Sequence, residues 1–388
     1  MSGDGRLLVA GGRLADGRLA DVLVRDGRID AVGPALDAPS RVLDATELTV
    51  APGFLDLQVN GAAGIDLTDE PEGLWEVAAA LPRFGVTAFL PTLVSAPADR
   101  YRRALAVADA GPPPGWRGAR PLGWHFEGPM LSPRRAGAHD QRHLRPAEPA
   151  VFDGWSRERG VAVVTLAPEL PGALDAVAEL SRRGVVVGAG HTEASAAEMS
   201  AAAAAGVRYA THLFNAMAPI HHRAPGPAGA VLGGLPVVAG LIADGRHVDP
   251  AIVRLAWRAI GPARCNLVSD AVAALGAGTT AIRVGGREVL AGPEGPRFVD
   301  GTLAGGDTGL DACVANLVRF AGCTVAEALA TVTLTPASLL GRDDLGAVEI
   351  GLAGDLTLLD PSLRTVATVV GGDVVHLRAA ASDSARRA

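Results

Sequence analysis

Lysine is absent from the sequence, so all 35 residues in the lysine-plus-arginine total are arginine. This absence excludes a Schiff-base lysine, the phosphate-binding lysine of a P-loop and a modified lysine that bridges two metal ions. A phosphate group must therefore be bound by arginine, by histidine or by backbone N–H groups.

Cysteine is scarce, and its three positions, Cys265, Cys313 and Cys323, are odd in number and widely spaced. Neither a disulfide framework nor a cysteine metal cage follows from them, and buried thiols in a reducing compartment are the simpler interpretation. The sequence has no apolar run of the ~18–20 residues that span a bilayer, and its first residues lack the pattern of a secretory signal. We therefore expect a cytoplasmic protein.

The composition is that of an ordinary globular protein, with 48% hydrophobic and 20% charged residues. The formal net charge of −7 argues against a nucleic-acid partner, which needs clustered positive charge. A chain of 388 residues is long enough for one large domain and a smaller one. The expected partner is a small molecule, without nucleic acid or membrane.

The two ends of the chain share one sequence pattern, in which short apolar stretches alternate with glycine and aspartate turns. Residues 24–29, VRDGRI, predict a tight hairpin with Asp26-Gly27 at its turn. We therefore predict a small β-sandwich domain formed by residues 1–51 and 344–378. The last residues, 379–388, have the composition of a disordered tail.

The middle of the chain, residues 52–343, repeats a different unit: a short apolar run, a polar residue and an alanine-rich stretch that fits a crossover helix. Eight such apolar runs occur, at 52–58, 86–93, 121–128, 161–169, 185–192, 209–217, 237–245 and 265–271. Eight strand–helix units favour a (β/α)8 barrel. A doubly wound sheet is the alternative, but no glycine-rich dinucleotide fingerprint follows the first strand.

Polar side chains stand at the ends of six of these runs, where a barrel would collect them in one pocket. They are Gln58 with Asn60, Glu127, His191, His212, Asp244 with His247, and Asp270. An unpaired buried charge costs several kcal/mol, so a metal ion or a partner is expected to compensate such groups.

Glu127, His191 and His212 offer one oxygen and two nitrogens, a set that suits Zn²⁺ or Fe²⁺ with an open position for water. A lone histidine at a strand end is more often structural; three candidate ligands at three strand ends favour a metal. Asp270 is the candidate base, because a carboxylate beside a metal can take a proton from water and return it to a leaving nitrogen. A helix N-cap is the alternative interpretation of Asp270.

At this level of detail the sequence resembles the N-acetylglucosamine-6-phosphate deacetylases of the amidohydrolase superfamily. The resemblance covers nearly the whole chain. It rests on motifs in the family's order: PGFLDLQVNG, HFEGPMLSPRRAGAH, AGHTEA, THLFNAM, GLIADGRHVD, LVSDAVA and GTLAG. It implies hydrolysis of the linear amide of N-acetyl-D-glucosamine 6-phosphate to D-glucosamine 6-phosphate and acetate, with Asp270 as general base and then acid.

The resemblance also implies individual roles. Glu127, His191 and His212 match the metal ligands, and His139 matches the residue that helps to polarise the acetyl carbonyl. Asn215 and Ala216 match phosphate-binding positions, and His247 matches a sugar-phosphate contact. Arg223 matches an arginine that enters the neighbouring subunit's site, which implies a homodimer. Weaker substrate contacts match Ala138, Leu303, Ala304 and Gly305.

Two features set this chain apart within the superfamily. Much of the superfamily has His-x-His on the first strand, whereas this chain has Gln58 and Asn60, which bind transition metals weakly. We therefore expect one divalent ion per subunit, zinc first, with iron, cobalt or manganese as alternatives. The family's usual serine after LAG is replaced by Gly306, followed by Asp307, Thr308 and Gly309, so the preferred hexosamine stays open.

Two other functions remain as alternatives. One is an amidohydrolase acting on a different N-acetyl amino sugar phosphate, such as the galacto isomer, or on an unphosphorylated N-acyl substrate. The other is a non-catalytic sugar-phosphate binding protein on the same scaffold. Retention of the complete triad together with Asp270 argues against the second.

Overall fold

The structure is a computed structural model that describes residues 5–37, 39, 41–279 and 281–379. The tail predicted for 379–388 therefore lies, apart from residue 379, outside the described residues.

The strands, in chain order, are β1 (Arg6–Leu14), β2 (Leu19–Arg25), β3 (Arg28–Gly33), β4 (Val42–Asp44), β5 (Thr49–Pro52), β6 (Phe54–Val59), β7 (Gly61–Ala62), β8 (Ile65–Asp66), β9 (Val86–Leu93), β10 (Arg120–Pro121), β11 (Trp124–Glu127), β12 (Val161–Leu166), β13 (Val186–Ala189), β14 (Val207–Ala210), β15 (Val238–Leu241), β16 (Cys265–Leu267), β17 (Ala281–Val284), β18 (Arg287–Leu290), β19 (Leu356–Leu359), β20 (Thr365–Val370) and β21 (Asp373–Leu377). The α-helices are α1 (Leu74–Ala80), α2 (Ala98–Ala110), α3 (Ala173–Arg182), α4 (Ala196–Ala205), α5 (Gly226–Leu232), α6 (Pro250–Arg264), α7 (Leu310–Ala321), α8 (Val325–Ala330) and α9 (Leu334–Leu339).

Both ends of the chain contribute to one sheet, in the order β21-β20-β19-β5-β1-β2-β3, with β4 paired to β1. The predicted hairpin is confirmed: β2 pairs with β3 through Arg25 and Arg28. Its turn residues, Asp26 and Gly27, have φ of 48° and 78°. A two-residue turn with both φ values positive matches the twist of the flanking strands, and aspartate–glycine tolerates it. The prediction that both termini build a separate β-sheet region is thus confirmed.

The predicted barrel is confirmed in the described part of the chain, where each of the eight apolar runs contains a strand. β6, β9 and β11–β16 pair in parallel, neighbour to neighbour. A bridge between Val59 and Ala271, just past β16, brings the last strand back to the first. Because every strand is parallel, all their carboxyl ends open on one face, and the polar residues that follow them meet there.

Burial of both faces explains why the sequences of these strands are continuous apolar runs. Every residue of β9 and of β12 is buried, since one face points into the barrel and the other faces the helices. α4 is capped by Ser195 and Glu198, which form a reciprocal capping box, and it ends at Gly206. None of the described helices is long and apolar enough to cross a membrane.

Replacement of Phe89 by alanine tests the packing between strand and helix. Phe89 lies in β9, is fully buried and belongs to the main hydrophobic cluster. The cavity left by the ring should lower the free energy of unfolding by about 3–5 kcal/mol, measured by urea denaturation. Leu290→Ala, at a side chain that is 65% exposed, is the control. Equal stability of the two variants would contradict this packing.

Candidate functional site

A cavity of about 320 Å³ opens at the carboxyl ends of the barrel strands. Its walls contain most of the site residues predicted from the sequence: Asn60, Glu127, Ala138, His139, His191, His212, Asn215, Ala216, His247, Asp270, Leu303, Ala304 and Gly305. Five residues that were not predicted complete the lining: Val94, Arg134, Arg135, Gly137 and Thr302. Residues from Asn60 to Gly305 in the sequence therefore line one cavity.

The predicted ligand atoms of Glu127, His191 and His212 converge at the base of this cavity. Glu127 Oε1 lies 2.8 Å from His212 Nε2 and 3.3 Å from His191 Nε2. The two Nε2 atoms are themselves 3.1 Å apart. All three side chains are buried. One carboxylate oxygen and two ring nitrogens thus surround a single point, the arrangement that a divalent cation requires.

The protonation of His191 supports a cation at that point. Its Nδ1 lies 2.8 Å from the backbone carbonyl of Arg135, which only accepts, so Nδ1 carries the proton and Nε2 presents its lone pair. Burial alone would lower the pKa of His212, but the Glu127 carboxylate outweighs it and raises that pKa to about 9. The negative charge of Glu127 therefore favours a positive charge beside it. A metal ion would supply that charge in place of the His212 proton. The donor set fits a divalent metal ion.

His139 is close enough to Glu127 and His191 to form an alternative ligand group with them. Its hydrogen bonds argue for another role. The backbone N–H of Ser95 donates to His139 Nδ1 over 3.0 Å, so the proton of the neutral ring is on Nε2. Burial lowers the pKa of His139 to about 4, which keeps the ring neutral. A protonated Nε2 is a hydrogen-bond donor, so the third predicted ligand position remains with His212, whose Nε2 lies 2.8 Å from Glu127 Oε1.

The first-strand amides hold the two central carboxylates. Gln58 donates from Nε2 to Glu127 Oε1 over 3.0 Å, and Asn60 donates from Nδ2 to Asp270 Oδ1 over 2.8 Å. Gln58 does not line the cavity but contacts Glu127 from beneath it. Burial raises the pKa of Asp270 to about 6. The positions that carry imidazoles elsewhere in the superfamily therefore supply hydrogen-bond donors in this chain.

Three of the central residues have backbone conformations that side chains rarely adopt. The φ angles of His191, His212 and Asp270 are 50°, 29° and 48°. Non-glycine residues with positive φ are uncommon, and they concentrate at functional sites where the surrounding structure enforces them. Each angle turns the chain sharply as a strand ends, so that the side chain enters the cavity.

The positions predicted to bind phosphate differ in what they offer. The backbone N–H and side-chain amide of Asn215 both donate to the His212 carbonyl, over 3.0 and 3.2 Å. Within the described residues, the N–H of Ala216 donates to no protein acceptor, so it is available to a ligand. His247 is held at the cavity by Asp244, whose Oδ2 lies 2.7 Å from His247 Nδ1.

Arg223, by contrast, does not line this cavity. It lies in an exposed loop after β14, and its backbone N–H donates to His221 Nδ1 over 3.3 Å. The structure thus brings the other predicted residues together, directly or through Gln58, and leaves Arg223 apart.

Sequence reasoning missed three contributors to the site. Arg135 acts through its backbone carbonyl, which leaves no signature in residue type, and Ser95 acts through its backbone N–H and through its hydroxyl, whose Oγ lies 2.9 Å from His139 Nδ1. Arg134 lines the cavity with a side chain that is 81% exposed. It stands in the same RRAGAH motif as His139, so a cation beside a predicted site residue was the available signal.

Comparisons with known proteins agree with this geometry. Residues 49–375 match the amidohydrolase family. The N-acetylglucosamine-6-phosphate deacetylase of Bos taurus is 38% identical over 92% of this chain and 91% of its own length. The N-acetylgalactosamine-6-phosphate deacetylase of Escherichia coli O157:H7 is 36% identical over 92% and 94%. A Mycobacterium smegmatis N-acetyl-D-glucosamine-6-phosphate deacetylase variant, solved in complex with N-acetyl-D-glucosamine-6-phosphate, has a TM-score of 0.85 and 32% identity and covers 96% of this chain and 100% of its own.

Metal analysis of histidine variants tests which triad binds the ion. We expect one divalent ion per chain in the unmodified protein. His191→Ala and His212→Ala should weaken metal binding by more than the ~10–100-fold that loss of an outer-shell partner costs. His139→Gln should stay within that range, because its ring donates rather than binds. The exposed His222→Ala is the control. Two tightly bound ions per chain, or metal loss in His139→Gln equal to that in His212→Ala, would contradict this assignment.

Proposed function

Because the chain belongs to the amidohydrolase family, and within it to the N-acetylglucosamine-6-phosphate deacetylases, we propose that it hydrolyses N-acetyl-D-glucosamine 6-phosphate to D-glucosamine 6-phosphate and acetate. The convergence of Glu127, His191 and His212 beside Asp270, at the base of one cavity, is the observation that carries the proposal. A binding protein would not need a carboxylate of raised pKa next to a metal-type donor set.

Glu127, His191 and His212 would hold one divalent ion, with zinc first and iron, cobalt or manganese as alternatives. When bound, such an ion polarises a carbonyl and lowers the pKa of water. The histidine rings suit these metals better than magnesium or calcium, which prefer oxygen ligands.

Asp270 is the proposed general base and acid. Its pKa of about 6 leaves it ionised at neutral pH yet close enough to the working pH to exchange a proton efficiently. It takes a proton from the attacking water as the new C–O bond forms at the acetyl carbon. It then gives that proton to the sugar nitrogen as the C–N bond breaks, releasing acetate and the amine. Asn60 fixes one carboxylate oxygen and leaves the other for this transfer.

His139 is the proposed donor to the acetyl carbonyl. His139 lines the cavity, its Nε2 lies 3.6 Å from Glu127 Oε2, and the ring is fixed from behind by the Ser95 backbone N–H. A fixed, neutral donor stabilises the negative charge that develops on the carbonyl oxygen, without reorganisation during the reaction.

The phosphate is assigned to the end of the cavity that contains Ala216 and His247, with weaker sugar contacts from Ala138 and from Leu303 to Gly305. Arg223 would complete the site of a neighbouring subunit. An apolar surface next to its loop supports a homodimer: Ile220, Ile252 and Leu255 are 48%, 39% and 52% exposed and adjoin a cavity that also includes Phe214 and Met217. A cytoplasmic location fits the free thiols of Cys265 and Cys313, both buried.

Acetate release is the direct test. The purified protein should release acetate from N-acetyl-D-glucosamine 6-phosphate, and a chelator should stop the reaction. Unphosphorylated N-acetylglucosamine and the galacto 6-phosphate isomer, run in parallel, separate the alternative substrates. The galacto isomer is included because an N-acetylgalactosamine-6-phosphate deacetylase is 36% identical to this chain, whereas two N-acetylglucosamine-6-phosphate deacetylases are 38% and 31% identical to it. Failure to release acetate from any of the three would refute the proposal.

Asp270→Asn tests the assigned base. The substitution keeps the shape and the contact with Asn60 while removing the proton acceptor. Turnover should fall by ~10²–10⁴ or more, the range for a general acid–base, with metal content unchanged. Asp153→Asn, on the surface, is the control. Near-normal turnover in Asp270→Asn would rule out this role.

Mixed dimers test the placement of Arg223. Arg223→Ala alone should raise KM for the phosphorylated substrate by ~10–100-fold, the worth of a hydrogen bond to a charged group. Equal co-expression of Arg223→Ala and Asp270→Asn chains makes half of the dimers hybrids. Each hybrid would contain one complete site, so activity measured at a substrate concentration well below the KM of Arg223→Ala should return to about a quarter of normal. If Arg223 served its own subunit, no complete site would form and the mixture would show no gain.

A further inference from the structure

The segment Gly306–Gly309, which departs from the family pattern, pairs directly with the backbone of Asp270. The N–H of Gly306 donates to the Asp270 carbonyl over 2.7 Å, and the N–H of Val272 donates to the Gly306 carbonyl over 2.9 Å. A Cβ atom on Gly306 would lie 2.2 Å from the Ser269 carbonyl oxygen. This close approach therefore requires glycine, and the two hydrogen bonds flank Ala271, directly after the proposed base.

The two residues that follow Gly306 bind the side chain of Arg246. Arg246 Nη1 donates to Asp307 Oδ1 over 2.7 Å, and Nη2 donates to Thr308 Oγ1 over 3.2 Å. The Arg246 and Asp307 side chains are 29% and 20% exposed. Within the described residues, neither one lines the cavity. Their effect on a bound substrate must therefore pass through the segments that they join.

Arg246 itself lies in the turn that presents His247 to the cavity. The backbone N–H groups of Arg246 and His247 both donate to Asp244 Oδ1, over 2.8 and 2.9 Å. The ion pair with Asp307 thus connects this turn, after β15, to the segment that is hydrogen-bonded to Asp270.

We propose that the Arg246–Asp307 ion pair is a positioning contact that fixes the proposed base Asp270 relative to His247 and the wall formed by Leu303–Gly305. The inference rests on the proposed deacetylase function, since it concerns the geometry of that reaction. A partly exposed ion pair contributes little to global stability. A displacement of about 1 Å at a reacting group, however, costs up to ~10²-fold in rate. The pair therefore matters for turnover far more than for folding.

The test compares Asp307→Asn, Arg246→Gln and the double variant with the unmodified enzyme. Each single variant should lower kcat for N-acetyl-D-glucosamine 6-phosphate by at least about fivefold, with the thermal midpoint nearly unchanged. The double variant should be no slower than the slower single one, since both changes break the same contact. Asp344→Asn is the control: it breaks the Arg342–Asp344 pair, which has the same 2.7 Å length and an arginine of similar exposure (28%), away from the cavity. It should leave kcat unchanged.

Amide hydrogen exchange provides a readout that does not depend on activity. The N–H groups of Gly306 and Val272 should exchange faster in Asp307→Asn and Arg246→Gln than in Asp344→Asn, because the segment loses its anchor. Single-variant kcat values within twofold of normal, multiplicative losses in the double variant, or unchanged exchange would each overturn the proposal. If the unmodified protein released no acetate while exchange changed as expected, the proposed function would fail and the positioning contact would stand.

Discussion

A single buried carboxylate, that of Glu127, constrains the arrangement of the barrel mouth. It stands at the end of β11 among apolar strands, where an unpaired negative charge costs several kcal/mol. Hydrogen bonding from Gln58 and the close approach of His212 compensate it. The positive charge of His212 and the hydrogen bond from His139 hold the pKa of Glu127 well below its ordinary value despite burial. The carboxylate therefore stays ionised and concentrates negative charge at one point, which is the electrostatic basis of a cation site.

The two other histidines of the site, His191 and His139, differ in role because their ring protons lie on different nitrogens. The Arg135 carbonyl forces the proton of His191 to Nδ1, and the Ser95 N–H forces that of His139 to Nε2. His191 thus presents a lone pair at Nε2, whereas His139 presents a hydrogen-bond donor there. Asn60 and Gln58 contribute amide donors where imidazoles would supply further ligands, which is consistent with one metal ion instead of two.

Much of this arrangement follows from patterns that are visible in the chain. The apolar runs predicted all eight barrel strands because parallel strands buried on both faces have no polar side. Asp26-Gly27 predicted its hairpin because few residue pairs tolerate two positive φ angles. The polar residues at the strand ends predicted a common pocket because parallel strands share one carboxyl face. The Arg135 carbonyl and the Ser95 N–H were not predicted, since backbone groups act independently of the side chain.

The sequence by itself determined the barrel and the terminal sheet and supplied the candidate metal ligands, because periodicity and the cost of buried charge can be evaluated locally along the chain. Only the tertiary structure decided how those residues divide their roles. The tautomers of His191 and His139 depend on backbone atoms 56 and 44 positions away. The partner of Asp307 is Arg246, 61 positions distant. Such contacts are set by the closure of the barrel, which brings the ends of non-adjacent strands together, and no local pattern specifies them.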